Sequence, residues 1–265
     1  MVLKSINTKK RPSTWFGCFC CSVLRYNYAY RLGRVCPHTS VKRNVLKNIV
    51  ILISGGGSNM KAIVEYAQKN TWQAQGVARI AAVVSNRADA GGLKYATEQG
   101  IPTMVLSHKD FANREAYDAQ LMREINTFAP DLVVLAGFMR ILTPAFTQHY
   151  ARRMFNIHPS ILPSFKGLHT HEAALQAGVR VHGATVHGVT AELDHGPIVM
   201  QSCVPVLPND DADALAARVL KTEHRMYPQV VDWFVNDGLI WDEAGIRLHP
   251  KLAAATQVVF ANDAQ

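Results

Sequence analysis

Apolar and polar positions follow two different periods along the chain from residue 48 onward. Continuous apolar runs predict strands that are buried on both faces of a sheet, at residues 48–54, 79–85, 102–106 and 131–136. The segments between them have apolar residues at helical spacing and predict helices at 59–68, 88–99 and 114–128. This alternation predicts an α/β fold with a doubly wound, mostly parallel sheet, whose ligands should lie beyond the carboxyl ends of the strands.

The second half of the chain has a different pattern. It predicts an antiparallel C-terminal extension of the sheet from two strands, at 182–189 and 197–206. The closing elements that we predict are two helices and a hairpin, at 210–223, 225–236 and 239–248. Because residues 48–250 contain no linker or internal repeat, we expect them to form one domain, followed by a frayed tail at 251–265.

The net charge of +8 is carried by the beginning of the chain. Residues 1–47 contain ten of the 28 Lys and Arg residues and none of the 20 Asp and Glu residues, so the remainder has a net charge of −2. Phosphate backbones are bound by cationic surfaces of the binding domain itself. The charge distribution therefore argues against a nucleic-acid partner. No apolar run reaches the roughly 18 residues of a membrane span, so we expect no membrane association either.

Residues 1–47 form a basic N-terminal extension that we expect to be disordered. The segment is free of acidic residues, as organellar transit peptides are, but it has few serines and unusually many Trp, Tyr and Cys residues. We favour an upstream extension from a misassigned start codon, with organellar targeting as the weaker alternative. Only Cys203 lies outside this segment, which is typical of proteins in a reducing compartment. We therefore expect a cytoplasmic protein.

Asn156 and His158 stand two positions apart in the sequence FNIHPSILP at 155–163. On an extended segment such side chains project from the same face. An amide and a protonated imidazole both donate hydrogen bonds, and together they could stabilise the oxyanion of a tetrahedral intermediate. The alternative is a strand that ends in a proline turn, with His158 satisfied in the core. These nine residues alone do not separate the two interpretations.

A glycine-rich loop, SGGGSN at 54–59, follows the first predicted strand and opens a helix. Glycines let backbone N–H groups approach a ligand closely, and a helix N-terminus favours anions. The loop lacks the Gly-Lys-Ser/Thr of ATP-binding loops, and Lys61 occupies the position of the third glycine in a dinucleotide fingerprint. A phosphate monoester fits the loop better than NAD or ATP. An ordinary tight turn is the alternative.

Three further motifs are less specific. The apolar residues around Arg140, at 138–142, could line a slot for a flat ligand, although core packing explains them equally well. The histidines in and after the loop at 162–171 match no metal-binding spacing, so we predict no metal site. Asp194 is typical of a turn before Gly-Pro. If folding brought it near His158, it would favour the imidazolium form and could relay protons through a bound water.

In their joint order these motifs resemble the phosphoribosylglycinamide formyltransferases, the folate-dependent formyltransferases of purine synthesis. The resemblance covers residues 48–250 and rests on NIVILISGGGSN, VVSNRADAGGL, PDLVVLAGFMRIL, FNIHPSILPSFKGLHTH, HGATVHGVTAELDHGPI and EHRMYP. It implies the Rossmann-like formyltransferase fold, with 10-formyltetrahydrofolate as co-substrate and glycinamide ribonucleotide as formyl acceptor. It also implies that no metal is required, and it leaves a monomer and a homodimer equally open.

The resemblance implies a role for each matching residue. The catalytic set would be Asn156, His158 and Asp194. The phosphate and ribose of glycinamide ribonucleotide would be bound by Gly57, Ser58, Asn59 and Glu223. The glycinamide pocket would be lined by Met139 and Pro159. The folate pterin would lie against the 190–194 backbone and against Phe138, Arg140, Ile141 and Leu142.

One position departs from the family pattern. Leu220 stands where relatives have Gln or Lys reaching toward the ribose, so that contact is either absent or made by the neighbouring Lys221. The mechanism that the resemblance implies is direct attack of the amine on the formyl carbon. Asn156 and His158 would stabilise the oxyanion, and Asp194 would support His158 and a water-mediated proton shuttle.

Four other functions compete with this interpretation. A formyltetrahydrofolate deformylase is the nearest, although a phosphate-binding loop has no purpose there. Deformylases also usually have a regulatory domain before the first strand, and residues 1–47 are too few and too unpatterned to form one. A methionyl-tRNA formyltransferase would need a further nucleic-acid domain and a basic surface. A non-catalytic sugar-phosphate-binding module is consistent with the glycine loop alone, but not with NIHPS and Asp194 together. A metal hydrolase would be sensitive to chelators.

Overall fold

The central element of the fold is an eight-stranded sheet. The computed structural model describes residues 46–252 and 254–261, which all belong to one unit. The strands of this unit, which include two outside the central sheet, are β1 (Lys47–Ile53), β2 (Ala78–Ser85), β3 (Thr103–Val105), β4 (Leu132–Leu135), β5 (Met154–His158), β6 (Val181–Gly188), β7 (Ile198–Pro205), β8 (Leu239–Asp242), β9 (Gly245–Leu248) and β10 (Val258–Phe260). Its helices are α1 (Ser58–Lys69), α2 (Gly91–Glu98), α3 (Arg114–Asn126), α4 (Pro144–His149), α5 (Thr170–Gln176) and α6 (Ala212–Val235).

The strand order is β10-β7-β6-β5-β4-β1-β2-β3, and β8 and β9 form a separate hairpin. The pairs from β3 through β1 to β5 are parallel, whereas β6 is antiparallel to both β5 and β7. The predicted doubly wound sheet with an antiparallel extension is therefore confirmed. The chain moves outward from β1 to β3 and then crosses to β4 on the other side of β1. The carboxyl ends of β1 and β4 thus flank a topological switch point, where open α/β sheets bind ligands.

Two apolar layers cover the sheet. Ile49, Ile51 and Ile53 of β1 face a core that includes residues of α1, α2 and α6. Val50 and Leu52 face the opposite core, which includes residues of α3 and α4. Because both faces of β1 are buried, the strand is apolar at every position rather than at alternate ones, as its sequence indicated. Its position between two helical layers holds the glycine loop that follows it at the switch point.

The prediction of two closing helices was wrong, because α6 is a single helix of 24 residues with Pro228 inside it. Proline removes one backbone donor from a helix, which usually ends or kinks it. Here the buried face continues across the proline, from Leu215 and Val219 to Met226 and Val230. Packing against β6 and β7 therefore overrides the local signal. Within the described ranges, no helix is long and apolar enough to cross a membrane.

Three other segments differ from the sequence prediction. The chain is already in β1 at Lys47, whose ammonium group donates to the Val235 carbonyl at 2.9 Å, so Lys47 belongs to the folded unit rather than to the basic extension. Part of the predicted frayed tail is β10, which extends the sheet by pairing with β7. The pattern missed the short helices α4 and α5, which have too few residues to show a clear period. The predictions for residues 1–45 lie outside the described residues.

We expect Tyr227→Phe to destabilise the protein by about 1–3 kcal/mol, because it removes the single phenol hydrogen that two buried backbone carbonyls share. The Tyr227 hydroxyl lies 3.0 Å from the Leu135 oxygen and 2.9 Å from the Phe155 oxygen, and so connects α6 to the last residue of β4 and to β5. Urea unfolding would measure the loss. The matched control is Tyr95→Phe, since the Tyr95 hydroxyl makes only a 3.5 Å contact with the exposed Glu65. Equal stabilities of the two variants would contradict this role of Tyr227.

Candidate active site

The glycine loop presents the open N-terminus of α1. Gly57 is the N-cap residue with φ of 67°, and no side chain caps the helix. The N–H groups of the first turn therefore lack a partner within the helix, and the helix dipole adds positive potential. A Cβ atom on Gly57 would lie 2.9 Å from the Met60 methyl group and 3.2 Å from the Gly92 Cα atom. The positive φ and this close approach of α2 both explain the glycine.

Asn59 and Glu223 join the loop to α6. The Asn59 amide donates to Glu223 Oε2 at 2.7 Å, and both side chains are buried. Burial raises the pKa of Glu223, and the hydrogen bond from Asn59 partly offsets that effect. The Asn59 Oδ1 atom is buried without a partner. The pair therefore keeps unused acceptor capacity next to the anion-binding end of α1, where a sugar hydroxyl could donate.

Ser54 links the loop to the segment that follows β4. Its hydroxyl donates to Asn86 Oδ1 at 2.6 Å and accepts from the Met139 N–H at 2.8 Å. Its backbone N–H donates to the Gly137 carbonyl at 3.0 Å. The loops after β1, β2 and β4 are thus held together by one buried serine. They enclose a cavity of about 430 Å³ that is lined by residues 54–59 and by Asn86, Arg87, His108, Ala136, Gly137, Met139 and Arg140.

The predicted folate-binding segment alternates between core and solvent. The side chains of Phe138 and Leu142 are buried in the layer beneath the segment. Met139 and Ile141 are 70% and 58% exposed, so they are the members of the segment whose apolar side chains face solvent. The Arg140 guanidinium lies 5.7 Å from the centre of the Tyr117 ring, and its Nε atom is buried without a partner. The 138–142 segment is therefore anchored in the core by Phe138 and Leu142 and exposed at Met139 and Ile141.

Asn156 and His158 project from the same face of β5, as predicted. Asn156 is the one residue of this strand that is only partly buried, which makes its amide accessible. In the antiparallel pairing with β6, His187 lies opposite Asn156 and Thr185 lies opposite His158. The Asn156 Nδ2 atom is 3.2 Å from His187 Nε2. The His158 Nε2 atom donates to the Phe165 carbonyl at 3.0 Å, which leaves its Nδ1 edge for other contacts.

Asp194 reaches His158 although 36 positions separate them in the sequence. Its Oδ2 atom lies 3.5 Å from His158 Nδ1 and accepts from the Gly167 N–H at 3.0 Å. The carboxylate is 7% exposed, so solvent screens the contact only weakly. The proximity that the sequence could not establish is therefore present. It places a negative charge beside the imidazole edge that Phe165 leaves open.

Backbone strain is concentrated around this carboxylate–imidazole pair. Asp194 has φ of 50° and Phe165 has φ of 54°, both in the left-handed region that L residues rarely adopt. Such conformations cost about 1–3 kcal/mol each and persist where the surrounding contacts determine them. Thr185 supplies some of these contacts, because its hydroxyl donates to the Ser160 carbonyl and accepts from the Leu162 N–H. The strained loop is thus fixed to β6.

The remaining predicted residues lie near these groups in different ways. Pro159 is half-buried, and its carbonyl accepts from the Thr170 hydroxyl at 2.7 Å. Leu220 is half-buried on α6, one turn before Glu223, and Lys221 is exposed. His171, which we predicted in an open loop, lies in α5 with its ring 5.2 Å from that of the buried His182. Among residues 46–252 and 254–261, no three His, Cys, Asp or Glu side chains are grouped to hold a metal ion.

Sequence reasoning missed four residues of the site. Asn86 and Arg87 directly follow β2, and the rule that ligands bind beyond the carboxyl ends of parallel strands could have identified them. His108 follows β3 in the same way. His187 gave no local signal, because only the pairing of β5 with β6 brings it opposite Asn156.

The sequence profile described as "Formyl transferase" matches residues 47–231 of this chain. The chain belongs to the formyl transferase family. Like the site residues, the match ends within α6, after Glu223. The glycine loop and the Asn156–His158–Asp194 cluster of this chain both lie within the matched segment.

Two named proteins have sequences similar to most of this formyl transferase chain. It is 50% identical over 215 residues to phosphoribosylglycinamide formyltransferase of Escherichia coli, covering 79% of this chain and all of that protein. It is 42% identical over 196 residues to the human trifunctional purine biosynthetic protein adenosine-3, covering 74% of this chain but only 19% of the human protein. The trifunctional protein therefore contains a segment of this type within a much longer chain.

Solved structures support the same placement in the formyl transferase family. The phosphoribosylglycinamide formyltransferase of Coxiella burnetii superposes with a TM-score of 0.72 at 44% identity, covering 77% of this chain and 93% of that one. The corresponding enzyme of Anaplasma phagocytophilum superposes with a TM-score of 0.73 at 38% identity, covering 80% and 97%. The predicted fold class is confirmed by these structures.

We predict that Glu223→Gln is more stable than the wild type at neutral pH, and that the difference disappears in acid. Burial raises the pKa of Glu223 in the folded state, so the wild-type protein loses stability as the pH rises from the ordinary carboxyl pKa, about 4 to 5, toward this raised pKa. Gln cannot ionise, and this loss is then absent. Urea unfolding between pH 4 and pH 7 would measure it. The exposed control Glu98→Gln should follow the wild type, and a pH-independent effect of Glu223→Gln would contradict the prediction.

Proposed function

We propose that the protein transfers the formyl group of 10-formyltetrahydrofolate to the primary amine of glycinamide ribonucleotide in purine biosynthesis. The observation that carries the proposal is the contact of Asp194 with His158 beside the accessible amide of Asn156. The open N-terminus of α1, on the same edge of the sheet, supports an acceptor that carries a phosphate. The 50% identity to the complete Escherichia coli phosphoribosylglycinamide formyltransferase supports the same reaction.

The glycine loop at 54–59 and the segment at 138–142, which meet at the switch point, would bind the two substrates. The phosphate would accept hydrogen bonds from the backbone at Gly57, Ser58 and Asn59, and the ribose hydroxyls would donate to Glu223. The folate would lie on the exposed side chains of Met139 and Ile141, with Arg140 at its edge. Pro159 and Met139 would flank the amine. Phe138 and Leu142 support this surface from beneath rather than forming it.

The reaction needs neither a metal nor a covalent enzyme intermediate. The amine nitrogen attacks the formyl carbon, and the carbonyl electron pair moves to oxygen. Asn156 donates one amide hydrogen to this oxyanion, and the Nδ1 edge of His158, beside Asp194, donates the second hydrogen bond. The attacking nitrogen loses a proton and N10 of the folate gains one. The oxyanion then re-forms the carbonyl as the bond between N10 and the formyl carbon breaks, with its electron pair going to N10. Asp194, with a bound water, would carry the proton between the two nitrogens.

Deformylation of the same folate is the second candidate function, with water in place of the amine. Both reactions can use Asn156, His158 and Asp194. The open helix end at Gly57 and the buried Asn59–Glu223 pair favour the transferase, because water has no phosphate or ribose for them to bind.

One assay separates these functions. Consumption of 10-formyltetrahydrofolate should require glycinamide ribonucleotide and should produce the formylated ribonucleotide in equal amount. Equal consumption without the amine would identify a deformylase. The absence of consumption in both conditions would contradict formyl-folate chemistry altogether. Addition of a chelator should leave the rate unchanged, whereas a chelator-sensitive rate would indicate a metal hydrolase.

Asn156→Ala should reduce kcat by on the order of a hundredfold or more, because it removes a donor to the oxyanion. Its folded structure should persist, since the side chain is only partly buried. The matched control is Asn70→Ala, which removes an exposed amide at the other end of α1 and should leave kcat unchanged. A normal kcat for Asn156→Ala would remove its catalytic role.

Asp194→Asn should also lose most of its turnover, because it removes the charge beside His158 while keeping an oxygen acceptor for the Gly167 N–H. Asn tolerates the left-handed backbone conformation of Asp194, so the loop should keep its shape. Steady-state kinetics together with circular dichroism would check both expectations. Wild-type turnover in this variant would show that the carboxylate charge has no part in the reaction.

A further inference from the structure

His187 is a buried histidine to which the catalytic steps above give no role. It lies on β6 opposite Asn156 and is 3% exposed. Its Nδ1 atom lies 2.9 Å from the Gly188 carbonyl, and its Nε2 atom lies 3.2 Å from the Asn156 amide nitrogen. Both ring nitrogens therefore have a hydrogen-bond partner. The partner of Nδ1 is a carbonyl oxygen, and the partner of Nε2 is an amide nitrogen.

The partners of His187 determine where its proton lies. A carbonyl oxygen can only accept, so the Nδ1 atom must carry the hydrogen that points to Gly188. In a neutral ring the Nε2 atom is then an acceptor, and the group facing it must be the NH₂ of Asn156 rather than its carbonyl oxygen. Burial, the largest effect, lowers the pKa of His187, with a smaller contribution from His158; the Gly188 carbonyl and Asp194 oppose it. The neutral form is thus consistent with its surroundings.

The Asp194 carboxylate does not compete with Asn156 for the Nε2 atom of His187. Asp194 Oδ1 lies 3.9 Å from His187 Nε2, which is too long for a hydrogen bond, whereas the Asn156 contact is within range. The Asn156 Nδ2 atom carries two hydrogens, and His187 occupies one of them. The other hydrogen remains for a ligand on the accessible side of β5.

We propose that His187 is the positioning residue that orients the Asn156 amide, so that its second N–H points to the reacting formyl oxygen. The inference rests on the proposed catalytic role of Asn156. Without an acceptor at this position, the amide could rotate by 180° and present its carbonyl oxygen to the oxyanion, which repels it. His187 thus prepares the hydrogen-bond donor before the substrate binds, and catalysis gains because no reorganisation is needed during the reaction.

The test is a double-mutant cycle with steady-state kinetics. His187→Leu should lower kcat roughly 10- to 100-fold, with the KM values of both substrates little changed, because the acceptor is lost but the binding loops are not. In an Asn156→Ala background the same substitution should cost little more, because the amide that it orients is gone. His187→Gln, which keeps an acceptor oxygen near the Nε2 position, should recover part of kcat.

His182→Leu is the matched control, since His182 is a fully buried histidine earlier on the same strand. It should keep a kcat close to that of the wild type. Equal losses from His187→Leu in the wild-type and Asn156→Ala backgrounds would show that His187 acts independently of Asn156 and would overturn the inference. A wild-type kcat for His187→Leu would overturn it as well.

The tautomer of His187 provides a test that does not depend on any variant folding. Nitrogen NMR of the wild-type protein labelled at histidine should show a protonated Nδ1 and an unprotonated Nε2 for His187 at neutral pH. A protonated Nε2 would overturn the inference, because Asn156 would then have to present its oxygen. If Asn156→Ala kept full activity, the proposed catalytic role would fail, while the NMR result would still decide how His187 holds the amide.

Discussion

The pairing of β5 with β6 is the constraint on which the geometry of the candidate active site depends. In this antiparallel register, Asn156 lies opposite His187 and His158 lies opposite Thr185. A slip of one residue would turn each of these side chains to the other face of the sheet. The same register places Thr185 under the loop that returns the Phe165 carbonyl to His158. Backbone pairing, rather than contacts among the polar groups themselves, therefore defines the geometry of the site.

Buried polar groups at the switch point are held in pairs across different elements. Ser54 connects the ends of β1, β2 and β4, and Asn59 connects α1 to Glu223 on α6. Burying these polar groups costs desolvation free energy, which their hydrogen bonds offset. Removing one partner costs stability, because the other is then buried without a hydrogen bond and without access to water. The fold thus uses the same polar contacts to fix its loops and to hold buried donors and acceptors at the switch point.

The two halves of the sheet make different contributions. The parallel half, around β1 and β4, supplies helix ends and loops, which suit binding of a phosphate and of a flat apolar ring. The antiparallel half, around β5 and β6, supplies side chains from adjacent strands, which suit fixed positions for chemistry. Membership in the formyl transferase family is consistent with this division, since both halves lie within the matched segment.

The sequence by itself determined the alternation of strands and helices from β1 to β4, the glycine loop, and the two-residue spacing that puts Asn156 and His158 on one face of a strand. These features depend on local periodicity and on residues that are close in the chain, which is why they could be predicted. It could not determine that α6 continues through Pro228, because packing on the sheet decides this. Nor could it show that residues 258–260 extend the sheet. Only the tertiary structure brought Asp194 to His158 and His187 to Asn156, since contacts across 36 and 31 positions depend on strand register and loop path, which no local pattern encodes.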